Sequence, residues 1–289
     1  MNVTLFLGCN IPVRVKQYEL SVRAIMGRLG IELNDLRESN CCGYPLRNSD
    51  FEAFLLSSAK NLALAEKKGQ TMMVLCKCCY GSLKKADHIM KNDPSIKSRI
   101  NAQLAKEGLE YHGKLSIKHL LTVLHQDIGL SEIEKKITKI LKGLNIATHY
   151  GCHALRPSDI TEFDDPRAPI IFDELVQITG ATSINWKSKL DCCGAPIFGI
   201  NDDLAMDLTE KKLTSGKEAG ADYLCVACPY CQLQFDTVQD IMIRKRPQVK
   251  QLSSILYPQL LGLAMGIDPD DLGFKMNKLD ITGLANFLV

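Results

Sequence analysis

Twelve cysteines are distributed along this 289-residue chain, six in each half, and most of them fall into a pattern that occurs twice. Cys9 is followed after 31 residues by Cys41-Cys42-Gly43, and after 33 more by Cys76-Lys77-Cys78-Cys79. Cys152 is followed after 39 residues by Cys192-Cys193-Gly194, and after 34 more by Cys228-Pro229-Tyr230-Cys231. Each half reads as one Cys, then Cys-Cys-Gly-x-Pro (ending at Pro45 and Pro196), then Cys-x-x-Cys, at offsets of 143, 151 and 152 residues. Phe6-Leu7-Gly8-Cys9 is answered by His149-Tyr150-Gly151-Cys152. So many matches at nearly constant offsets imply an internal duplication. Cys78 and Cys225 stand outside the shared pattern and read as buried small hydrophobes as readily as ligands.

Thiols in this density do metal or redox chemistry, staple a secreted fold, or both. No Lys or Arg precedes Arg14 and Val3 to Leu7 is too short for a signal-peptide core, so a reducing, cytoplasmic setting is expected, where clustered cysteines argue for metal or redox work rather than disulfides. A zinc ribbon would pair two Cys-x-x-Cys units about 15–20 residues apart, which the wide separation of Cys79 from Cys228 excludes. Four-coordinate zinc would also leave Cys9, Cys41, Cys42 and their copies without a role. Cys228-Pro229-Tyr230-Cys231 matches the glutaredoxin dithiol, but that likeness covers four residues and has no use for Cys-Cys-Gly. Iron-sulfur ligation fits better, because soft thiolates from several loops select such clusters. Five thiols per repeat exceed the four of an ordinary cubane, so one is spare or the cluster is connected differently. Adjacent cysteines in extended chain point to opposite sides; Gly43 and Gly194 supply the freedom for a tight turn that turns both sulfurs to one place.

The elements that must position these sulfurs follow the same rhythm. Val3 to Leu7 is a short strand delivering Cys9, and apolar residues at helical spacing mark a helix over 15–29. Asn48-Ser49-Asp50 offers N-caps for a helix through Leu64 to a Lys67-Lys68-Gly69 stop, and Met72 to Leu75 reads as a strand delivering Cys76. Ile146 to Tyr150, a helix from Asp164 to Gly180, a helix from Asp202 to Gly220 and a strand from Asp222 to Val226 replay this order. Alternating strands and helices predict an α/β fold with parallel sheets, two duplicated Cys-Cys-Gly domains, and cysteines where strands end and loops begin. The expected organisation is a first repeat over 1–83, a cysteine-free helical connector over 84–145, a second repeat over 146–250, and a tail over 251–289 packing on the core or a partner.

Composition narrows the functions further. With 35 basic and 33 acidic side chains the formal charge is +2, which gives no concentrated basic surface for nucleic acid or anionic membranes. The longest mostly apolar run, Ile255 to Ile267, is interrupted by Pro258 and Gln259 and is too short for a membrane span. His88, His112, His119 and His125 have no metal-ligand spacing and read as solvated or structural.

The doubled pattern closely resembles the B subunit of heterodisulfide reductase over essentially the whole chain. Tyr150-Gly151-Cys152-His153-Ala154-Leu155-Arg156-Pro157, Trp186 ahead of Cys192-Cys193-Gly194, and Leu256-Tyr257-Pro258-Gln259-Leu260-Leu261-Gly262-Leu263-Ala264 support the likeness. The Cys-Cys-Gly signature alone is shared with subunits of lactate, glycolate and glycerol-phosphate oxidation systems. The resemblance implies two noncubane 4Fe-4S clusters, one on Cys9, Cys41, Cys42, Cys76 and Cys79, the other on Cys152, Cys192, Cys193, Cys228 and Cys231. It implies a substrate, the mixed disulfide of coenzyme M and coenzyme B, lying between the clusters and reduced to two thiols, with Cys9, Cys41, Cys42, Cys152, Cys192 and Cys193 holding the reacting metal. It also implies a complex with a ferredoxin-like iron-sulfur subunit and a flavin-bearing subunit, in a methanogenic archaeal host.

Cys78 departs from the family pattern and leaves Cys76 and Cys78 as alternative ligands; the spacing to Cys79 favours Cys76. His153 could donate a proton to a leaving thiolate or merely a hydrogen bond to cluster sulfur. Arg14, Lys16, Arg47 and Arg156 lie near the cysteine loops and could pair with the substrate's anionic groups. The alternatives are a related disulfide- or thiol-handling subunit of sulfur metabolism, and an electron-transfer module that binds no substrate.

Overall fold

The computed structural model describes residues 1–289. Two four-stranded sheets, every pairing parallel, organise the chain. In the first, β1 (Asn2–Phe6), β2 (Glu32–Asp35), β3 (Met72–Val74) and β4 (Ile117–His119) are ordered β2-β1-β3-β4. In the second, β5 (Asn145–Thr148), β6 (Thr182–Ser183), β7 (Tyr223–Val226) and β8 (Ser254–Leu256) are ordered β6-β5-β7-β8. The topologies are identical, as duplication requires. The central strands are buried on both faces: Met72, Met73 and Val74, like Ile146 and Ala147, have no exposed surface, which is why they read as continuous apolar runs rather than alternating ones.

The expected helices form where apolar residues recur at helical spacing. The helix Lys16–Leu29 buries Tyr18, Val22, Ile25 and Met26 and stops at Gly30 in the left-handed region, a common helix terminator. The helices Phe51–Glu66 and Asp202–Glu218 start at matching caps, where Asp50 and Asn201 side-chain oxygens accept from the amides of Ala53 and Leu204. The helix expected from Asp164 is the exception: only Ser158–Thr161 and Ile171–Gln177 are helical. Pro166 and Pro169 lie between them. The Asp164 carboxylate accepts from the amides of Ile170 and Ile171, and that of Asp165 from Arg167 and Ala168, so local side chains hold this stretch as loop.

The segment 84–145 is helical in part, over Pro94–Leu104 and the end of Lys77–Asn92, but it also supplies β4 and the turns after it. Likewise the tail supplies β8 and the helix Tyr257–Ala264, all eight residues of which are buried. Each repeat therefore ends in a strand followed by a helical segment, and these segments cross. Residues following β4 pack against the helix Ile171–Gln177 of the second repeat, while Tyr257–Ala264 packs against Lys16–Leu29 of the first. His125 Nε2 lies 2.6 Å from Glu174 in one crossing, and Gly273 abuts Gln17 in the other. Leu260, Leu261 and Leu263 are at most 3% exposed, each contributing about 1.5–3 kcal/mol relative to exposure. One continuous apolar core of 82 residues links both sheets.

Candidate metal centres

The cysteines lie where parallel strands end. β1 runs into Gly8-Cys9, β3 into Cys76, β5 into Gly151-Cys152 and β7 into Cys228, so both sheets present their carboxyl edges to the place where open α/β folds bind ligands. Cys76 and Cys228 each occupy the residue preceding a helix, with extended backbone.

The Cys-Cys-Gly turns are held the same way in both repeats. Gly43 and Gly194 have φ of +81° and +90°, and an added Cβ would sit 2.8 Å from the Phe54 carbonyl oxygen or 2.6 Å from that of Ala205. Only glycine satisfies both the backbone and the space. Pro45 and Pro196 then stiffen a single 3₁₀ turn. From the helix behind each turn, Ser58 donates to the Cys42 carbonyl at 2.7 Å and Thr209 to the Cys193 carbonyl at 3.1 Å. Asn61 donates to the carbonyls of Asn40 and Cys41, while Lys212 donates to those of Ser188 and Asp191. Adjacent sulfurs thereby face one space, and the turn's buried carbonyls are satisfied.

Two cavities result. The first is lined by Cys9, Cys41, Cys42, Cys76 and Cys79; the second by Cys152, Cys192, Cys193, Cys228 and Cys231. All ten cysteines of the repeated pattern are thus gathered, five to a cavity. The cavities meet at a seam between the repeats: Cys76 Sγ lies 3.9 Å from Cys228 Sγ, and Cys78 and Tyr230 line both. Cys225 is elsewhere, buried within β7 opposite Thr148. No cysteine is in a disulfide.

His153 sits at the seam, its Nδ1 3.4 Å from Cys78 Sγ and 3.5 Å from Cys152 Sγ, edge-on to Tyr44. Burial and then the Arg47 charge hold its pKa below the usual histidine value. Of the four basic candidates only Arg47 reaches this mouth, its guanidinium 5.2 Å from the Tyr44 ring centre. Arg14, Lys16 and Arg156 are exposed, the last donating to the Pro166 carbonyl. His119 is buried and structural, His88 and His112 are exposed, and His125 pairs with Glu174.

Two further residues belong to the second cavity. His149, fully buried, places Nε2 3.2 Å from Cys231 Sγ, and its Nδ1 has no partner. Lys77 is fully buried, donating to the carbonyls of His149 at 3.0 Å and Tyr150 at 2.8 Å across the repeat boundary. Their signal was present in the alignment of the repeats, where His149 replaces Phe6 and Lys77 faces Pro229.

The electrostatics show why the cavities suit a soft cation. Hydrogen bonds from Cys42 and Cys9 hold the Cys41 thiol well below its ordinary pKa, and those from Cys152 and Cys193 do the same for Cys192. Their neighbours Cys9, Cys42, Cys152 and Cys193 are pushed up, chiefly by sharing those protons and by burial. Five sulfurs so close cannot ionise together unless positive charge lies among them. Cys76, Cys78 and Cys228 converge on one point and His149, Cys193 and Cys231 on another, each trio of ligand atoms lying within 4.8 Å of one another. The donor set, its burial and the lack of disulfides fit a polynuclear thiolate-bound metal.

This fold and site define a two-repeat cysteine-rich α/β protein with a metal-competent thiol set in each repeat. The model of the cysteine-rich domain family matches residues 3–84 and 146–236. The chain is 35% identical to the B subunit of the ferredoxin/F(420)H(2)-dependent CoB-CoM heterodisulfide reductase of Methanosarcina acetivorans, over 96% of this chain and 93% of that protein. It is 36% identical, with the same coverage, to the B subunit of the ferredoxin:CoB-CoM heterodisulfide reductase of Methanosarcina mazei. Identity is 31% to the 8-methylmenaquinol:fumarate reductase membrane anchor subunit of Wolinella succinogenes, over 97% of this chain and 98% of that one; no helix here is long and apolar enough to cross a membrane. A hypothetical protein from Helicobacter pylori shares the fold at a TM-score of 0.78 and 18% identity, over 97% of this chain and 52% of that one. The chain belongs to the cysteine-rich domain family and, within it, to the family of heterodisulfide reductase B subunits.

Proposed function

We propose that this chain is the catalytic iron-sulfur subunit of a cytoplasmic disulfide reductase complex, cleaving the coenzyme M/coenzyme B heterodisulfide to two thiols. The observation that carries this reading is the pair of cavities, each lined by the five patterned cysteines of its repeat and sharing Cys78, that meet at a seam where Cys76 and Cys228 sulfurs are 3.9 Å apart. Cys9, Cys41, Cys42, Cys76 and Cys79 would hold one four-iron cluster, and Cys152, Cys192, Cys193, Cys228 and Cys231 the other. Five thiolates to a site favour noncubane connectivity. Cys76 is preferred over Cys78 because it stands at the helix-preceding position of Cys228 and lines one cavity only. Clusters held by these cysteines would supply the substrate with its two electrons, one from each site.

The chain's own residues do the rest. A disulfide takes two electrons and two protons to become two thiols, and a bond lying at the seam is within reach of both sites. His153, between Cys78 and Cys152, is placed to hold one proton there. Tyr44 and Tyr230 flank the seam with their rings 6.1 Å apart, and Arg47 supplies a cation for an anionic substrate group. Electrons arrive from a ferredoxin-like subunit and a flavin-bearing subunit of the same complex. The domain reading is two metal-binding repeats welded by the connector and tail.

Anaerobically purified protein is expected to carry about eight irons with matching sulfide, and, once reduced, to release two thiols from the coenzyme M/coenzyme B disulfide. Zinc or no metal sinks the reading. The likeness to a fumarate reductase anchor subunit supports a second one, an electron relay without substrate, which intact clusters that leave the disulfide untouched would favour.

A further inference from the structure

The two cavities share a backbone and a ligand pattern, yet their remaining linings differ in one electrical direction. Non-cysteine residues around the first are Leu7, Asn10, Tyr44, Pro45, Pro229 and Tyr230, none of them charged. The second instead has Lys77, His149 and His153. These are equivalent positions: His149 stands where the first repeat has Phe6, His153 where it has Asn10, and Lys77 reaches across the boundary where Pro229 reaches the other way. A fourth pair lies beneath the Cys-Cys-Gly turns, with Lys212, 1% exposed, in the place of Asn61.

Neither buried ammonium is neutralised by a carboxylate contact. Lys77 is held by two carbonyls and lies 5.1 Å from the Phe172 ring centre. Lys212 is held by two carbonyls and lies 4.8 Å from the Trp186 ring centre. The nearby Asp191 faces solvent. Burial works against the charge of both lysines and anions beside them sustain it; Lys77 lines the very cavity where the second repeat's thiols collect.

We propose that the second cavity is built to hold more negative charge than the first, so that with a cluster in each, the second is the more readily reduced and electrons delivered to the pair rest there. This rests on the cluster reading above only for its redox half; the charge asymmetry belongs to the chain itself. Each reduction adds one electron from an external donor, dithionite in the test, and breaks no bond. Lys77 acts here as a positioning residue, through its charge.

The test has two arms on the full chain. In the first, anaerobically purified protein is titrated with dithionite and followed by electron paramagnetic resonance, with Cys41→Ala assigning the signals. The more positive midpoint is expected to belong to the second site. Lys77→Met is expected to move that midpoint negative without moving the other, and Lys77→Arg to restore it. In the second arm, reduced iron-free chain is alkylated with iodoacetate or iodoacetamide and mapped by mass spectrometry. The anionic reagent is expected to be favoured at Cys192 over Cys41 by about threefold, Lys77→Met to erase the preference, and Pro229→Lys to raise it at Cys41 should Lys77→Met fail to fold. Equal midpoints, or a preference equal at the two cysteines or reversed, overturns the proposal. Protein without iron removes the cluster reading alone, and the alkylation ratio then decides the asymmetry.

Discussion

Set side by side, the two repeats agree in strand order, in the Cys-Cys-Gly turns and in the cysteines that line the cavities. They differ in the other residues of the cavity walls and in the Asn61/Lys212 pair beneath the turns. Strand order, the helix caps at Asp50 and Asn201, the left-handed glycines of the Cys-Cys-Gly turns and the hydroxyls of Ser58 and Thr209 on the second-cysteine carbonyls all have counterparts. Phe6 and His149, or Pro229 and Lys77, share a place and not a chemistry. The lesson is about which positions carry which constraint. A turn that must aim two adjacent sulfurs one way tolerates few solutions, so both copies use the same one. A wall that only sets polarity can change by single residues while the turn stays intact.

The largest effects are expected from removing ligands, one repeat at a time. Cys193→Ala should lose about half of the eight irons and nearly all disulfide cleavage, and Cys42→Ala should do the same from the other side. Each should leave the untouched repeat's spectroscopic signal in place. Full activity in either variant would break the equivalence of the two sites as ligand sets. A smaller effect is expected when the turns are forced rather than emptied. In Gly194→Ala the new methyl lies 2.6 Å from the Ala205 carbonyl at φ +90°, and in Gly43→Ala it lies 2.8 Å from that of Phe54 at φ +81°. Both should cost about 2–4 kcal/mol of stability, Gly194→Ala the more, measured by denaturant unfolding. Unchanged midpoints would show that the turns relax freely and that their agreement between repeats has another cause.

How much of this could be read beforehand depends on how local each signal is. The ten-cysteine pattern, the parallel α/β architecture and the strands delivering Cys9, Cys76 and Cys152 were legible because spacing and apolar runs carry them. β4 and β8 were not: each has three residues, and Ile117-Lys118-His119 lacks any apolar run, so only its pairing with β3 makes it a strand. The helix expected from Asp164 failed because two aspartate side chains outbid the helix for nearby amides. His149 and Lys77 were visible in the duplication as mismatches, but their meaning required knowing that both reach the second cavity. The crossing of the terminal helical segments is a tertiary fact with no local sign.

The smallest of these effects concerns β4 and its copy, where His119 stands in the place of Leu256. His119 is fully buried, Nε2 lying 3.1 Å from the Ala227 carbonyl and Nδ1 accepting from the Leu121 amide at 3.2 Å. It thus braces the residue just ahead of Cys228 from the opposite repeat. That pattern needs one proton on the ring, on Nε2, and a second on Nδ1 would face a donor. Burial lowers its pKa to about 3, against about 6.5 in an unfolded chain. Between these values the unfolded state binds the extra proton, so the contribution is whole above about pH 6.5 and falls as the pH drops toward 3, by about 1.4 kcal/mol per pH unit. His119→Leu, which makes β4 resemble β8, should cost about 1–3 kcal/mol at neutral pH through the unpaired Ala227 carbonyl. It should also lose stability less steeply than the parent between pH 6 and 4, by about one proton's worth of slope. Parallel acid-unfolding profiles for the two proteins would mean that His119 takes up its proton without breaking the brace, and that the two repeats differ at this position in shape alone.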